Sequence, residues 1–156
     1  MKKFSIVFIL FCLLSCGSSK TVRTSKKILK GQWVMTSINT SAIGDFTLTL
    51  LDDSSAACFE NSSWQFIPNN NTGNYVLSGL NCNNEARYFA FTIDEINEAN
   101  KIYDFLLKPT DKKGKSELNY GYRLKINALT EDTMQWQQEA KVSGKTITIT
   151  MNFEKL

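Results

Sequence analysis

The residues of this 156-residue chain that could do acid–base or nucleophilic chemistry are spaced in a way that argues against catalysis. The chain contains no histidine, so hydrolysis would need a carboxylate pair, an activated serine or a metal. The candidate carboxylate pairs are Asp52-Asp53 and Asp94-Glu95, and each joins two sequence neighbours. Neighbours on a strand point to opposite faces, so we interpret both pairs as solubilising residues at strand ends. The sequence has no Gly-rich phosphate loop and no nucleophile elbow, and it predicts a protein that is not an enzyme and uses no cofactor.

The N-terminal residues have the pattern of a secretory signal. Lys2 and Lys3 precede an apolar run, Phe4 to Leu14, of only 11 residues. A helix needs about 20 apolar residues to span a bilayer, so this run is too short to be a transmembrane span. The sequence therefore predicts a cleaved signal peptide over residues 1–15.

Leu13-Leu14-Ser15-Cys16 resembles the processing site of bacterial lipoproteins. The resemblance implies that Cys16 receives a diacylglyceryl thioether and becomes the first residue of a mature protein whose acyl chains insert in the membrane. Such chains anchor a protein because each buried methylene contributes about 0.8 kcal/mol. No acidic residue directly follows Cys16, and we expect the protein at the outer membrane, facing the periplasm. The alternative is ordinary signal cleavage near residues 17–19, which would leave a soluble secreted protein.

The charge of the chain is divided unevenly along its length. We interpret residues 16–30 as a solvated, lipid-anchored basic tether, and the alternative is that its charges lie on anionic lipid head groups. Residues 31–156 carry 11 basic and 15 acidic residues, so this part is weakly acidic although the whole chain has a net charge of +3. Its length predicts one domain, its charge gives no basic patch for nucleic acid, and we expect a monomer. The tether contains five basic residues and no acidic ones: Lys20, Arg23, Lys26, Lys27 and Lys30.

Apolar and polar residues alternate with period two through most of residues 31–156. Such runs predict half-buried strands, with one face in the core and one in solvent. Consecutive strands joined by short turns form a meander, which closes into a barrel or folds over as a sandwich. The sequence predicts nine strands: Gln32–Ile38, Phe46–Leu50, Ser63–Ile67, Asn74–Ser78, Arg87–Asp94, Ile102–Lys108, Leu118–Ile126, Thr133–Gln138 and Thr146–Lys155.

Gly31-Gln32-Trp33 favours the barrel, because a Gly-x-Trp at the start of the first strand of such a meander resembles the lipocalins. The wider pattern, including Cys58 to Ile67 and Tyr103 to Lys108, resembles the lipocalin-like lipoproteins common in Bacteroidetes. The resemblance implies an all-β, antiparallel up-and-down barrel of about eight to nine strands. In it, Gly31 and Trp33 would close one end. Lipocalins also stack a late arginine on this tryptophan, whereas the last arginine here is Arg123.

Cys58 and Cys82 are the cysteines that remain in the body of the protein. If Trp64 faces Leu77 in the hairpin between them, the two cysteines come within one residue of facing each other. A secretory signal delivers the chain to an oxidising compartment, so the sequence predicts a Cys58–Cys82 disulfide. A metal site is disfavoured, because the chain has no histidine and no Cys-x-x-Cys spacing.

Aromatic residues give the only indication of a ligand. An eight-stranded barrel is just wide enough to be filled by side chains or to hold one small ligand. The number of bulky inward candidates favours a filled lower half with a shallow apolar cup near the mouth. The sequence thus predicts a membrane-anchored protein that binds or carries a small hydrophobic molecule in the cell envelope. The alternative is a filled-barrel scaffold or protein-interaction module without a small ligand. The candidate ligand-binding residues are Trp64, Phe66, Tyr75, Phe91, Phe105, Tyr120, Tyr122 and Trp136. Tyr120 and Tyr122 would offer hydroxyls that orient the ligand.

Overall fold

A computed structural model describes residues 20–43, 47–97, 102–116, 118–142 and 144–156. The predicted signal peptide, residues 1–15, and the predicted lipidation site Cys16 lie outside the described residues. The described chain contains two helices and ten strands. The helices are α1 (Lys20–Leu29) and α2 (Ala56–Phe59). The strands are β1 (Gly31–Thr40), β2 (Thr49–Leu50), β3 (Ser54–Ser55), β4 (Ser63–Ile67), β5 (Thr72–Val76), β6 (Arg87–Asn97), β7 (Ile102–Thr110), β8 (Tyr122–Leu129), β9 (Thr133–Val142) and β10 (Lys145–Lys155).

Eight of these strands form a closed antiparallel barrel in the order β1-β10-β9-β8-β7-β6-β5-β4. From β4 to β10 each strand pairs with the next in sequence, and β1 closes the barrel by pairing with both β10 and β4. The predicted all-β up-and-down barrel is therefore confirmed. The predicted strand Phe46–Leu50 is wrong as a barrel strand: of its described residues, 47–50, only Thr49 and Leu50 are extended, and they pair with β3 in a separate two-stranded sheet.

The two ends of the barrel are distinct. The closed end is where β1 begins and β10 ends, and α1 lies across it with contacts to β6 and β8. The mouth is the opposite end, where β4, β6 and β8 begin. It carries the mouth insertion, residues 47–62, which comprises β2, β3 and α2. It also carries the β5–β6 connection, residues 77–86, and the residues that precede β8.

The barrel interior is packed with aromatic rings. Along β7, Tyr103, Phe105 and Leu107 are buried while the residues between them are half-buried, as period-two alternation requires. Trp136 has ring centroids of Phe105 and Phe153 at 4.9 and 4.6 Å. Ring pairs at such separations contribute beyond their buried area, so the interior is an aromatic core.

The predicted pairing of β4 with β5 is wrong by two residues. Trp64 faces Tyr75 rather than Leu77, and Phe66 faces Gly73. Gly73 has no side chain and so adds nothing to the apolar–polar alternation, yet its position faces the core. A Cβ there would lie 2.4 Å from a ring carbon of Phe89, so only glycine lets that ring approach the strand.

The predicted Cys58–Cys82 disulfide is present, with the two Cα atoms 5.7 Å apart. It does not extend the β4–β5 ladder as expected. Cys58 lies in α2 and Cys82 in the β5–β6 connection, so the bond ties two mouth elements together.

The predicted solvated tether is wrong for residues 20–29, which form α1. Val22, Ser25 and Leu29 are buried, and Leu29 belongs to the same core cluster as the barrel interior. The indole Nε1 of Trp33 donates a hydrogen bond to the carbonyl of Leu29 at 2.9 Å. The folded body therefore includes α1, which packs on the barrel.

Candidate functional site at the barrel mouth

The mouth insertion covers part of the barrel opening. Phe59 of α2 is fully buried, and its ring lies 5.6 Å from the ring of Tyr75. The β2–β3 turn buries Leu50 and Leu51 in the same cluster. Leu51 and Asp52 both have positive φ angles, 51° and 48°, which aspartate tolerates but which strain a leucine. This turn directs two successive carboxylates, Asp52 and Asp53, toward the opening.

A cup of about 510 Å³ remains open beside that turn. Its apolar wall includes Leu51, Leu107, Pro109 and Leu118. Polar and aromatic groups complete it: Asp52, Asp53, Arg87, Asp111, Tyr75, Tyr88, Tyr120 and Tyr122. The volume lies within the range of small-molecule sites, which are mostly apolar with a few placed polar groups.

Asp53 is the polar centre of one side of the cup. Its Oδ2 lies 2.5 Å from Nε of Arg87 and accepts a hydrogen bond from the Tyr75 hydroxyl at 2.8 Å. Arg87 also donates to the carbonyls of Asn83 and Glu85, at 2.8 and 2.9 Å. Burial, reinforced by the bond to Asp53, raises the pKa of Tyr75 well above its ordinary value, so this phenol stays protonated as a donor. The network fixes the β2–β3 turn to the barrel wall and the β5–β6 connection.

Tyr120 and Tyr122 form the other side of the cup. Their rings meet edge to face at 5.9 Å, and the Tyr122 hydroxyl donates to Oδ2 of Asp52 at 3.2 Å. Desolvation raises the pKa of Tyr122, and the neighbouring Tyr120 and Asp52 raise it further. Tyr120 is 51% exposed, so its ring is accessible to a ligand in the cup.

Three of the eight predicted ligand-binding residues line this cup: Tyr75, Tyr120 and Tyr122. The other five are buried in the aromatic core, and their ring faces contact one another rather than the cup: Trp64, Phe66, Phe91, Phe105 and Trp136. Trp33, predicted to close one end of the barrel, is fully buried at the closed end, at the start of β1. The Nζ atom of Lys155, on the last strand, lies 5.2 Å from the centre of its ring. A lysine of the last strand therefore places its charge over the Trp33 ring.

Sequence reasoning missed the charged part of the cup. The sequence predicts that Asp52 and Asp53 are solubilising strand-end residues, but they lie in a turn and contact Tyr122, Tyr75 and Arg87. The predicted strand Leu118–Ile126 begins only at Tyr122, because the preceding residues leave the ladder. The alternation continues through Leu118 and Tyr120 since both line the cup.

Comparison with protein-family models and with curated proteins gave no match. Within the described ranges, no group of three or more His, Cys, Asp and Glu residues is placed to hold a metal ion. In the same part of the chain, no helix has the length and apolar character needed to cross a bilayer. The interpretation of the site therefore rests on its geometry.

Proposed function

We propose that this chain is a lipocalin-like, lipid-anchored envelope protein that binds a small, largely apolar molecule in the mouth cup, without catalysis. The observation that carries the proposal is the cup itself, about 510 Å³ with leucine walls and an accessible tyrosine ring. The filled interior excludes the deep barrel as the site. The ligand therefore lies across the mouth rather than inside the barrel.

The charges of the cup restrict the chemistry of its ligand. Arg87 is already paired with Asp53, so its charge is not free to neutralise an anion. Asp52 and Asp111 add negative charge to the same wall. A neutral or cationic molecule with an apolar body and a hydroxyl or amine donor fits this surface better than an anion does.

The anchoring part of the proposal rests on the sequence of the N-terminus. Leu13 to Cys16 has the residue order of a lipoprotein processing site, which follows a charged flank and a short apolar run. Acylation of Cys16 would hold the protein at a membrane without any transmembrane helix. Mass spectrometry of the mature protein tests this directly, since a Cys16-linked diacylglyceryl group adds a defined mass that Cys16→Ser abolishes.

Binding to the cup can be tested with the neutral fluorescent probe N-phenylnaphthylamine. Leu118→Arg places a long charged side chain in the cup and should weaken probe binding at least about tenfold. Leu80→Arg is the matched control, because Leu80 is fully exposed on the β5–β6 connection and does not line the cup. Native mass spectrometry of protein purified from its own envelope should show a bound small molecule that Leu118→Arg removes. Ligand-free spectra, together with equal probe binding by both variants, would refute the proposal.

The alternative function, a protein-interaction module, is favoured by two exposed apolar side chains near the mouth. Ile43 and Leu80 are 103% and 105% exposed, so both side chains are accessible to a partner protein. Replacing both by serine should leave probe binding intact while releasing a partner that crosslinks to the native protein. If crosslinked species persist unchanged in that variant, these side chains are not the contact.

A further inference from the structure

Helix α1 has one face on the barrel and one basic face in solvent. Val22, Ser25 and Leu29 are buried. The exposed residues Lys20, Arg23, Thr24 and Lys27 follow the three- and four-residue spacing that places side chains on one helix face. Lys30 is exposed directly after the helix. We call Lys20, Arg23, Lys27 and Lys30 the basic face.

The basic face is held in a fixed orientation on the closed end. Lys155 donates from Nζ to the carbonyl of Ile28 at 2.7 Å, and Lys26 donates to Oδ1 of Asn71 at 2.8 Å. Together with the bond from Trp33 to Leu29, these contacts join α1 to β1, β10 and the β4–β5 turn. The helix therefore presents its charges outward from the barrel end instead of moving freely on a linker.

The charge of this face contrasts with that of the rest of the body. Residues 31–156 carry more acidic than basic residues, whereas residues 20–30 carry five basic and no acidic ones. The ion pairs formed between described residues join Arg87 to Asp53, Arg123 to Asp104 and Lys125 to Glu139, and they leave Lys20, Lys27 and Lys30 unpaired. Acidic residues toward the same end belong to β6, β10 and the β8–β9 turn rather than to the helix: Asp94, Glu95, Glu131, Asp132 and Glu154.

We propose that the basic face of α1 lies on anionic lipid head groups, so that the closed end faces the membrane and the cup faces away from it. A basic residue at an anionic bilayer surface strengthens association by about fivefold. The position of the face agrees with the anchor, since Cys16 is four residues before the start of α1 and four extended residues span at most about 14 Å. Ligand would then enter the cup from the aqueous side.

The proposal can be tested without the acyl chains, so its outcome is separate from that of the lipidation. Every described contact lies within residues 20–156, and a chain of residues 17–156 keeps them all. We expect this chain to co-sediment with phosphatidylcholine vesicles that contain phosphatidylglycerol and not with pure phosphatidylcholine vesicles. Lys20→Glu with Lys27→Glu should reduce that partitioning by more than about 25-fold.

The matched control reverses the charge of two lysines at the other end of the barrel. Lys112→Glu with Lys113→Glu makes the same change in net charge in an exposed segment at the mouth, and it should alter partitioning less than about twofold. Both variants should keep the melting temperature of the parent chain. Equal losses in the two variants, or equal binding to neutral and anionic vesicles, would overturn the proposal.

Orientation gives a second measurement. With nitroxide-labelled lipid in the anionic vesicles, amide signals of α1 should broaden more than those of residues 111–116 at the mouth. Stronger broadening at the mouth would overturn the proposed orientation.

Discussion

The closed end and the mouth of this barrel are covered by different kinds of interaction. At the closed end, Leu29 and Trp33 are fully buried and the tryptophan also caps the helix by a hydrogen bond. At the mouth, Phe59 and Leu50 of the insertion are also buried in the core, and the Asp53–Arg87 pair, tyrosine hydroxyls and a disulfide hold its polar part. Apolar side chains pack closely and fill the space between elements. Hydrogen bonds and the disulfide hold single pairs of atoms at fixed distances, so a cavity can remain beside them. Both ends therefore adjoin the core, and at the mouth an ion pair and a disulfide also hold a frame around the cup.

The largest effect should come from the core that supports both ends. Trp136→Ala removes a fully buried ring that contacts Phe105 and Phe153, and it should lower the free energy of unfolding by about 4 kcal/mol. Tyr120→Ala is the matched aromatic deletion at the mouth and should cost less than about 0.5 kcal/mol. Urea denaturation measures both. If Trp136→Ala prevents folding, Trp136→Phe should give a smaller loss of stability. Similar losses at positions 136 and 120 would contradict the view that the core, and not the cup, carries the stability.

The next largest effect should come from the covalent tie at the mouth. Cys58→Ser with Cys82→Ser opens a loop of 24-residue separation and should lower the free energy of unfolding by about 3 kcal/mol. The variant should remain monomeric by size-exclusion chromatography, because both cysteines pair within the chain. Thermal melting measures the loss, and a melting curve identical to that of the parent chain would show that the bond contributes nothing.

The strands were predictable because their alternation is a local signal that each segment carries by itself. Ser63–Ile67 agrees with β4 at both ends, and the other barrel strands differ from their predicted bounds by a few residues. Helix α1 was missed because its buried face is short and includes the polar Ser25, so its basic residues suggested a solvated segment. Contacts between segments carried no such local signal.

The candidate site was only partly predictable for the same reason. The sequence predicts Tyr120 and Tyr122 near the mouth as aromatic residues of a strand, and both line the cup. Asp52 and Asp53 reach it through a left-handed turn at Leu51 and Asp52, which contains neither glycine nor asparagine to indicate it. Arg87 became part of the site only because the barrel brings β6 beside that turn.

A smaller loss of stability should distinguish the Asp53–Arg87 ion pair at the mouth from an exposed ion pair on the barrel surface. Asp53→Asn removes the charge partner of Arg87, in a pair whose side chains are mostly buried, and should cost about 1.5 kcal/mol. Asp104→Asn breaks the matched pair with Arg123, whose side chain is 72% exposed, and should cost less than about 0.5 kcal/mol. Asp53→Asn should also weaken N-phenylnaphthylamine binding, because the β2–β3 turn forms one wall of the cup. Equal costs for the two variants would mean that Asp53 acts as a surface charge only.

The smallest effect concerns Lys155, a cation that supports the closed end. Lys155 places its ammonium 5.2 Å from the ring centre of Trp33 and bonds the carbonyl of Ile28 near the end of α1. Lys155→Met keeps the alkyl length but loses both interactions, and it should cost about 1 kcal/mol. Lys155→Arg keeps the charge and a donor, so its unfolding curve should match that of the parent chain. If Met is tolerated as well as Arg, the Lys155 cation does not stabilise this end, and the other contacts of α1, such as Leu29, the indole bond of Trp33 and the bond from Lys26 to Asn71, hold the helix.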